Sequence, residues 1–425
     1  MNKILYTLLT LAVAATANSV NAQNNNQVEQ FPYNPPTQKP NYEMSAAMNR
    51  YYDQFDGKQP NENELYSQFK YTDLKGFDYN NFDGTISRRD PSRIIFHNGK
   101  YYMWYTYRNT PTPPVGAELC DEVKPSADWD LAEIWYATSA DGFTWEEQGV
   151  AVPRPKAPEL GCRAVSTCEI IEWEGKWYLY YQAFNKPSGT RGDDCPVSVS
   201  VATSPDGPWV ATGRVIVENG PEGAWDQYSI HDPHPLIHDG KVYLYYKSDF
   251  NDNQLLTRMQ GLAIADNPLG PFEKHPLNPI LNSGHETGIF PFGKGVAALV
   301  YKDGPEHNTI QYAEDWVNFE IVAISELFPY AASFYIPDEG QENPNATGVT
   351  WGMAHFINYI KRWDKQASKL VRFDCDLSTD VNDTKMKQHR VQHDPQVYYD
   401  QKLDKEQLKR INEETERIRR KAEDK

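Results

Sequence analysis

Hydrophobic residues in the middle of the chain occur in short runs that are separated by turns containing glycine. Four segments repeat one pattern, in which a run of branched and aromatic residues, a glycine turn and a second run rich in tyrosine or branched residues follow one another. These segments are PSRIIFHNGKYYMWYTY, CEIIEWEGKWYLYYQAF, HPLIHDGKVYLYYKS and IFPFGKGVAALVYKD. Two such runs joined by a short glycine turn predict a β-hairpin in each segment.

A second hairpin of similar type follows each of the first four. The second hairpins are IWYATSADGFTWEEQG, VSVATSPDGPWVATG, GLAIADNPLGPFEKH and IQYAEDWVNFEIV. Two successive hairpins form a four-stranded blade. The turn glycines of the first hairpins, Gly99, Gly175, Gly240 and Gly295, lie 76, 65 and 55 residues apart. The spacing is loose but the order of the parts is constant, which predicts a β-propeller.

A fifth blade is expected at residues 331–377, where VTWGMAHFINYI and KLVRFDCDL offer further strands. A strand from the other end of the propeller could complete this blade. We therefore expect an all-β fold in which residues 81–380 form a five-bladed β-propeller.

The segments on either side of the propeller have helical patterns with narrow apolar faces. Residues 23–80 form a polar arm in which SAAMNRYYDQFDG predicts a helix with Ser45 as its N-cap. Residues 381–425 form a tail that ends in a charged helix with a thin stripe of leucine and isoleucine. Neither helix can form a core of its own, so each is expected to pack on the propeller or on a second subunit. A homodimer that exchanges the N-terminal arms supplies such a partner.

The first 22 residues predict a cleavable secretory signal peptide. A lysine precedes an apolar stretch of about ten residues, and small residues, including Val20 and Ala22, stand before Gln23. No later segment approaches the about 20 continuous apolar residues of a transmembrane helix. The mature chain is therefore expected in the periplasm or outside the cell, without a membrane partner.

Charge and composition narrow the class of partner. The net charge of −17 and the pI near 5.1 argue against nucleic acids and anionic membranes, because an acidic surface gains no counterion-release energy from a polyanion. The 27 tyrosines and 11 tryptophans suit either a sugar-binding cleft or the aromatic surface of strands, and composition alone does not separate the two. Five scattered cysteines do not form a disulfide scaffold or a zinc motif.

Acidic residues precede the turns of the first hairpins at similar distances. Asp90, Glu169, Asp232 and Glu286 stand nine, six, eight and nine residues before their turn glycines. Because the first strand of each propeller blade lines the central channel, these four acids are expected around one axis at the channel mouth. Their polar neighbours are Arg88, Arg89, Thr167, His231, His234 and His285. Convergent acids of this kind suit glycoside hydrolysis, in which one group protonates the leaving oxygen and another activates water.

Simpler interpretations apply to each motif alone. A solvated acidic ring would explain any one of the acids, and the HDPH sequence at residues 231–234 could ligate a metal ion. Pro233 argues against the metal interpretation because it directs the chain into an extended conformation. In GHETG, the flanking glycines permit a backbone that presents His285 and Glu286 inward. General acid–base chemistry by these side chains requires no cofactor, while a divalent cation in the central channel stays an open alternative.

Several of these motifs together resemble glycoside hydrolase family 117, the α-1,3-3,6-anhydro-L-galactosidases, also called α-neoagaro-oligosaccharide hydrolases. SAAMNR resembles a Ser-x-Ala-x-x-Arg signature in the N-terminal arm, and RRDPSR, STCE, HDPH and GHETG follow in the order of the family. The resemblance implies a five-bladed propeller, a dimer with exchanged arms, and removal of 3,6-anhydro-L-galactose from the non-reducing end of neoagaro-oligosaccharides with inversion.

The resemblance also implies roles for individual residues. Asp90 corresponds to the general base, Asp232 and Glu286 to further essential acids, and His285 to the proton donor. The sugar-binding positions that it implies are Thr167, Glu169, Gln182 and His231. General chemistry alone nominates Glu286 as the acid and His285 as the group that orients it, and the sequence leaves this alternative open. From the tail, His393 in QHRVQHDPQ is a further candidate that could approach the channel of a neighbouring subunit.

Two other classes of function are compatible with the same residues. Five-bladed propellers with two Asp and one Glu also resemble the furanosidases that degrade arabinan and xylan, although SAAMNR and GHETG argue against them. A propeller that binds sugars without catalysis is the remaining class. A substitution at Asp90 separates it from an enzyme, because only an enzyme loses turnover there.

Overall fold

The computed structural model describes residues 30–53, 65–188, 195–248, 258–325, 327–337, 346–359, 366–379 and 383–388. Within these ranges, the strands form five antiparallel sheets, as a five-bladed propeller requires. The prediction of an all-β, five-bladed β-propeller is confirmed. No helix in the same ranges is long and apolar enough to span a bilayer.

The first strand of the chain, β1 (Lys70–Asp73), belongs to the last blade, and the first four blades follow it in sequence order. Blade 1 contains β2 (Ile86–Arg89), β3 (Ile95–His97), β4 (Lys100–Asn109), β5 (Glu133–Ser139) and β6 (Trp145–Val152). Blade 2 contains β7 (Ala164–Trp173), β8 (Lys176–Phe184), β9 (Val197–Ala202) and β10 (Val210–Ala211). Blade 3 contains β11 (Ile230–His238), β12 (Lys241–Ser248), β13 (Gln260–Ala265) and β14 (Glu273–Lys274). Blade 4 contains β15 (Gly288–Phe292), β16 (Gly295–Val300), β17 (Thr309–Ala313) and β18 (Glu320–Ile324).

Blade 5 joins the two ends of the propeller. Its strands are β19 (Ser333–Phe334), β20 (Gly348–Tyr359), β21 (Gln366–Ser378) and the outermost β1. Strand β1 pairs antiparallel with β21, and Thr72 lies opposite Arg372. The fifth blade is therefore closed by a strand from the N-terminal side, as the sequence suggested. The propeller consequently begins at Lys70, before the boundary at residue 81 that the hairpin pattern gave.

The N-terminal arm carries a short helix, α1 (Ala46–Tyr52), at the predicted position. The Ser45 hydroxyl caps it by accepting a hydrogen bond from the Met48 amide at 3.2 Å and also donates to the Pro279 carbonyl at 2.6 Å. Met48 is buried against blades 2 and 3. In this structure the helix thus packs on the propeller of its own chain. A short 3₁₀ helix at Asn80–Phe82 precedes blade 1.

Arg50 at the end of α1 secures the arm to blade 4. Its guanidinium donates to Glu306 Oε1 at 2.8 Å and to the Phe319 carbonyl at 2.7 Å, and it lies 3.2 Å from the Glu320 carboxylate. Glu306, the acid that pairs with Arg50, therefore belongs to the same chain in this structure.

Most of the aromatic residues stabilise the blades rather than a sugar-binding cleft. Trp104 is fully buried and lies parallel to Tyr102 and Tyr136, with ring centroids 6.0 and 6.1 Å apart. Burial in the blade cores, which is neither of the two compositional alternatives, thus accounts for many of the described tyrosines and tryptophans. The predicted signal peptide (residues 1–22), the C-terminal helix and His393 all lie outside the described residues.

Candidate active site

Each blade has one residue with a left-handed backbone within its innermost strand or next to an end of that strand. These residues are Asp90 (φ 47°), Thr167 (φ 43°), Asp232 (φ 47°), Glu286 (φ 63°) and Ala331 (φ 46°). The strand register shifts at the second and third of them, which marks β-bulges, and the first lies in the interruption between β2 and β3. Ala331 does not line the central cavity. Because a left-handed residue re-aims its side chain, the other four blades point their side chains towards one space.

These side chains surround a cavity of about 290 Å³. The cavity collects seven residues that were predicted for the site, namely Asp90, Thr167, Gln182, His231, Asp232, His285 and Glu286. Its other lining residues are Arg89, Trp129, Lys247, Arg258, Lys302, Tyr330, Ile357 and Gln366. The sequence prediction thus found the acids and Arg89, and it missed the other cations, Lys247, Arg258 and Lys302.

Asp90 is a buried carboxylate held by three neighbours. Its Oδ2 accepts hydrogen bonds from Arg89 Nε at 2.8 Å and from Thr167 Oγ1 at 3.0 Å. Its amide donates to His355 Nδ1 at 3.3 Å, and the same nitrogen lies 3.5 Å from Oδ1. These contacts fix the orientation of the carboxylate, as a general base requires.

Asp232 is paired with a lysine from the neighbouring strand. Lys247 Nζ lies 2.7 Å from Asp232 Oδ2, and this lysine is almost completely buried. Burial alone would raise the pKa of Asp232, but the Lys247 ammonium and the nearby His231 outweigh it and hold the pKa below its usual value. Asp232 is therefore the ionised acid of the site at neutral pH.

Glu286 has the opposite electrostatic environment. Burial, followed by the negative charge of Asp90, raises its pKa to about 7, and Arg89, 3.5 Å from Oε1, only partly compensates. Near neutral pH this carboxyl group is therefore in part protonated. Two buried acids in one cavity thus hold different protonation states, which is the arrangement that acid–base catalysis needs.

His285 lies between two carboxyl groups and contacts the Glu286 side chain. Its Nε2 is 3.4 Å from Glu286 Oε1, and its Nδ1 is 3.6 Å from Asp303 Oδ2. Burial and then the positive charge of Arg258 hold the pKa of His285 well below its ordinary value. The imidazole is therefore neutral by itself, and the proton of the His285–Glu286 pair rests mainly on Glu286.

Glu169 does not line the cavity, contrary to its predicted place among the channel acids and the sugar-binding residues. The bulge at Thr167 takes the mouth position in blade 2, so that Glu169 is displaced two residues deeper. There its Oε1 accepts hydrogen bonds from Arg93 N and Nε at 2.8 and 3.1 Å, and His234 Nδ1 lies 3.8 Å from Oε2. Glu169 therefore belongs to a buried ion pair of the scaffold.

Gln182 and His231 occupy the cavity wall as predicted. Gln182 Nε2 approaches Cys195 Sγ at 3.7 Å, while its buried Oε1 has no hydrogen-bond partner among the described residues. The His231 ring lies 6.0 Å from the Phe184 ring. A buried acceptor of this kind is available to a hydroxyl group of a bound sugar.

Residues outside the innermost strands complete the site. Trp129, from the loop between β4 and β5, covers the Arg89 guanidinium at 4.9 Å, and its Nε1 donates to Ser188 Oγ at 2.7 Å. Lys247 comes from the second strand of blade 3 and His355 from that of blade 5. Only Arg89 had a local signal in the sequence, because it directly precedes Asp90.

Asp90, Glu286 and His355 are the group most suited to a metal ion, since one donor atom of each lies within 4.8 Å of the others. However, Arg89 already supplies a positive charge to both carboxyl groups, at 2.8 and 3.5 Å. A divalent cation in the channel stays a prediction. We therefore assign no catalytic step to a metal.

Comparisons with known proteins find similarity to glycoside hydrolases. The family model of glycosyl hydrolases family 43 matches residues 123–260. Two solved structures share the fold at low identity. One is described as an RGII complex, with 13% identity, a TM-score of 0.52, and coverage of 73% of this protein and 92% of that one. The other is described as a glycoside hydrolase, with 12% identity, a TM-score of 0.51, and coverage of 74% and 92%.

A much stronger match is to a family 117 glycoside hydrolase produced by the marine bacterium Zobellia galactanivorans. The two sequences are 56% identical, the match covers 80% of this protein and 99% of that one, and the TM-score is 0.74. Identity at this level over this length exceeds what a shared fold requires. The chain therefore belongs to glycoside hydrolase family 117.

Proposed function

We propose that this glycoside hydrolase removes 3,6-anhydro-L-galactose from the non-reducing end of neoagaro-oligosaccharides by cleaving the α-1,3 bond with inversion. The observation that carries the chemistry is the convergence of Asp90, Asp232, His285 and Glu286 on one cavity. The raised pKa of Glu286, about 7, supports its role as a proton donor. Family membership and the motifs in the sequence support the substrate.

The size of the cavity supports exo-action. At about 290 Å³ it is at the lower end of the roughly 300–1,000 Å³ of small-molecule sites. Such a space suits one terminal sugar residue with a water molecule, and the rest of the oligosaccharide would extend outward.

In the proposed mechanism, Asp90 takes a proton from the attacking water while the His285–Glu286 pair protonates the glycosidic oxygen. Glu286 stores this proton, and His285, 3.4 Å away, passes it on. The Asp232 charge helps to raise the pKa of Glu286 and thereby keeps the pair protonated. The two groups act as one titrating unit, so each is expected to be essential.

The distance between Asp90 and Glu286 bears directly on the stereochemistry. Their nearest oxygens lie within 4.8 Å, whereas the carboxyl groups of inverting enzymes stand about 6.5–9.5 Å apart to admit water. Under inversion, the delivering atom is therefore expected to belong to His285. Retention would instead make Asp90 the nucleophile and Glu286 the acid, and proton NMR of the first-released anomer distinguishes the two.

The experiment for the substrate is incubation with neoagarobiose and neoagarotetraose, followed by chromatography. We expect release of 3,6-anhydro-L-galactose, with Asp90→Asn as the inactive control. A second candidate function is a furanosidase of the arabinan or xylan type, because the family 43 model matches part of the chain. Arabino- and xylo-oligosaccharides should therefore be tested as substrates as well. Cleavage of these alone would contradict the proposal.

We further propose that the protein is a homodimer with exchanged N-terminal arms. The contacts of Arg50 with Glu306 and of Ser45 with Pro279 would then form between subunits with the same geometry. Light scattering of the mature protein should give the mass of a dimer, and Arg50→Ala should shift it towards monomer. A monomer at micromolar concentration would contradict the exchange.

Export completes the proposal. A cleavable signal at residues 1–22 predicts that the mature protein begins at Gln23 and is periplasmic or secreted. N-terminal sequencing of protein isolated from the periplasm or medium tests this directly. An intact Met1 would contradict it.

A further inference from the structure

Lys302 stands at the open end of the catalytic cavity, in the loop after β16. Its side chain is exposed, its ammonium donates to the Tyr330 hydroxyl at 2.8 Å, and it lies 5.4 Å from the centre of that ring. In the part of the chain that the structure describes, no carboxylate lies within ion-pair distance of Lys302. A cation with only a neutral partner therefore faces the space through which substrate enters.

The other cations of the cavity are balanced by acids. The pairs are Arg89 with Asp90 at 2.8 Å, Lys247 with Asp232 at 2.7 Å, and Arg258 with Asp303 at 2.5 Å. The remaining acid of the cavity, Glu286, lies 3.5 Å from Arg89 and 3.4 Å from His285, and it forms no ion pair with Lys302. Lys302 is therefore the cavity cation that has no paired carboxylate among the described residues.

The backbone holds Lys302 in a strained conformation beside the proton donors. Lys302 and Asp303 are both left-handed, with φ of 52° and 59°, which residues with side chains rarely adopt. The loop is tied to the preceding one by bonds from the His285 amide to the Tyr301 carbonyl at 2.8 Å and from the Gly284 amide to the Asp303 carbonyl at 3.1 Å. Strain that persists at a site entrance is a reason to look for a ligand.

A neutral sugar chain that passes over Lys302 would remove water from the ammonium and return no counter-charge. Taking water from an uncompensated charge is costly, whereas an anionic group in the same position forms a charge-assisted hydrogen bond. We propose that Lys302 forms an anion subsite at the cavity mouth, which binds a sulfate ester or a carboxylate carried by the oligosaccharide substrate. The subsite presupposes the glycosidase function proposed above and adds the charge class of its substrate.

Binding to the Asp90→Asn variant, measured by calorimetry, tests the subsite without turnover. The ligands are neoagarotetraose, a sulfated counterpart, and a counterpart that carries a uronate. We expect at least one anionic ligand to bind about 5- to 10-fold more tightly than the neutral one, with an advantage that shrinks as salt is added. The preferred anion tells a sulfate ester from a carboxylate.

Adding Lys302→Gln should abolish this preference. The matched control is Lys294→Gln, an exposed lysine at the opposite turn of the same blade, which changes the net charge equally and should leave the preference intact. Equal binding of all three ligands, or a preference that survives Lys302→Gln, would overturn the anion subsite alone. If none of the three ligands binds, the neoagaro-oligosaccharide assignment is itself wrong.

Discussion

Glu286 and Glu169 are both buried glutamates of the same channel, yet their surroundings differ. Glu169 accepts three N–H donors at one oxygen, from the Arg93 amide and guanidinium and from the Ile170 amide, all within 3.1 Å. Among the described residues, the side chain of Glu286 has ion-pair contacts with Arg89 and His285 alone, at 3.5 and 3.4 Å, and its pKa rises to about 7. Burial is thus shared, and the number of hydrogen-bond donors distinguishes a structural acid from a reactive one.

The difference arises because Glu286 is itself a left-handed residue, whereas Glu169 comes two residues after one, Thr167. A left-handed residue lifts its own side chain into the cavity, while the second residue after it points into the packed interior between blades. Glu286 occupies the first kind of position, as do Asp90 and Asp232. Glu169 occupies the second. Substitution of the left-handed residues should therefore lower the activity. Substitution of Glu169 should instead lower the stability of the fold.

The largest effect is expected from Asp90→Asn. Loss of the proton acceptor should lower kcat by at least about three orders of magnitude, because the attacking water is no longer activated. The melting temperature should fall less than in Glu169→Ala, since the amide keeps the size of the side chain and Arg89 retains Glu286 at 3.5 Å and Asp128 at 3.6 Å. Steady-state kinetics and thermal unfolding measure the two effects, and near-normal turnover would remove Asp90 from the mechanism.

Glu169→Ala should show the reverse. It leaves the Arg93 guanidinium buried without its acid, which typically costs about 3–5 kcal/mol of the free energy of unfolding. Glu172→Ala on the same strand, where the side chain is partly exposed, is the control and should cost much less. Denaturant titration gives both values. If Glu169→Ala is as stable as the unmodified protein, Glu169 does not have the structural role described here.

The protonation of Glu286 should appear in the pH profile. Because the reactive form carries the proton, kcat/KM should fall about tenfold per pH unit above about pH 7. Kinetics at constant ionic strength from pH 5 to 9 measures this limb. A profile that stays flat to pH 9 would show that the proton does not come from the His285–Glu286 pair.

Glu286→Gln should become more favourable to stability as the pH rises. The folded-state pKa of about 7 exceeds the ordinary 4.5, so the contribution of this glutamate to stability is complete below pH 4.5 and is lost through pH 7. Glutamine does not titrate, and its advantage should therefore grow by about 1–3 kcal/mol between pH 4.5 and 8. The exposed control Glu222→Gln should show no such trend in denaturant titrations at the two pH values.

The smallest effect is expected from Thr167→Val, which removes one hydrogen bond to Asp90 and keeps the branched shape. A loss of about 3- to 10-fold in kcat/KM corresponds to a single bond of this kind. Thr167→Ser retains the hydroxyl and should restore most of the activity. Equal activity of valine and serine variants would mean that Thr167 does not orient the base.

The fold was accessible from the sequence because each blade carries its own local pattern. The glycine turns located the hairpins, and the Ser45 cap located the helix. Position around the channel was harder to predict. Glu169 stands six residues before its turn glycine whereas the other acids stand eight or nine, and Thr167 stands eight before it. The spacing therefore indicated Thr167, and not Glu169, as the residue at the channel mouth. Glu169 was the more obvious candidate because it is acidic.

Other residues of the site had no local pattern to predict them. Lys247 and His355 lie on second strands, where only the twist of the blade brings them to the cavity. Trp129 reaches Arg89 from a long loop whose path depends on contacts with blade 2. These residues come together through tertiary packing between segments that are distant in sequence. No repeated motif in the sequence marks their positions.

Because β1 closes blade 5 by pairing with β21, the propeller cannot close until β21 has been synthesised. Lys369 of β21 and Asp73 of β1, which form an ion pair, are 296 residues apart in the chain. At about 5–20 residues per second, synthesis of that interval takes roughly 15–60 s, during which β1 has no partner. An unpaired strand invites aggregation, but β1 has only four residues and carries a charge at each end, which discourages pairing with other chains. Strand β1 can therefore stay unpaired during synthesis with little tendency to aggregate.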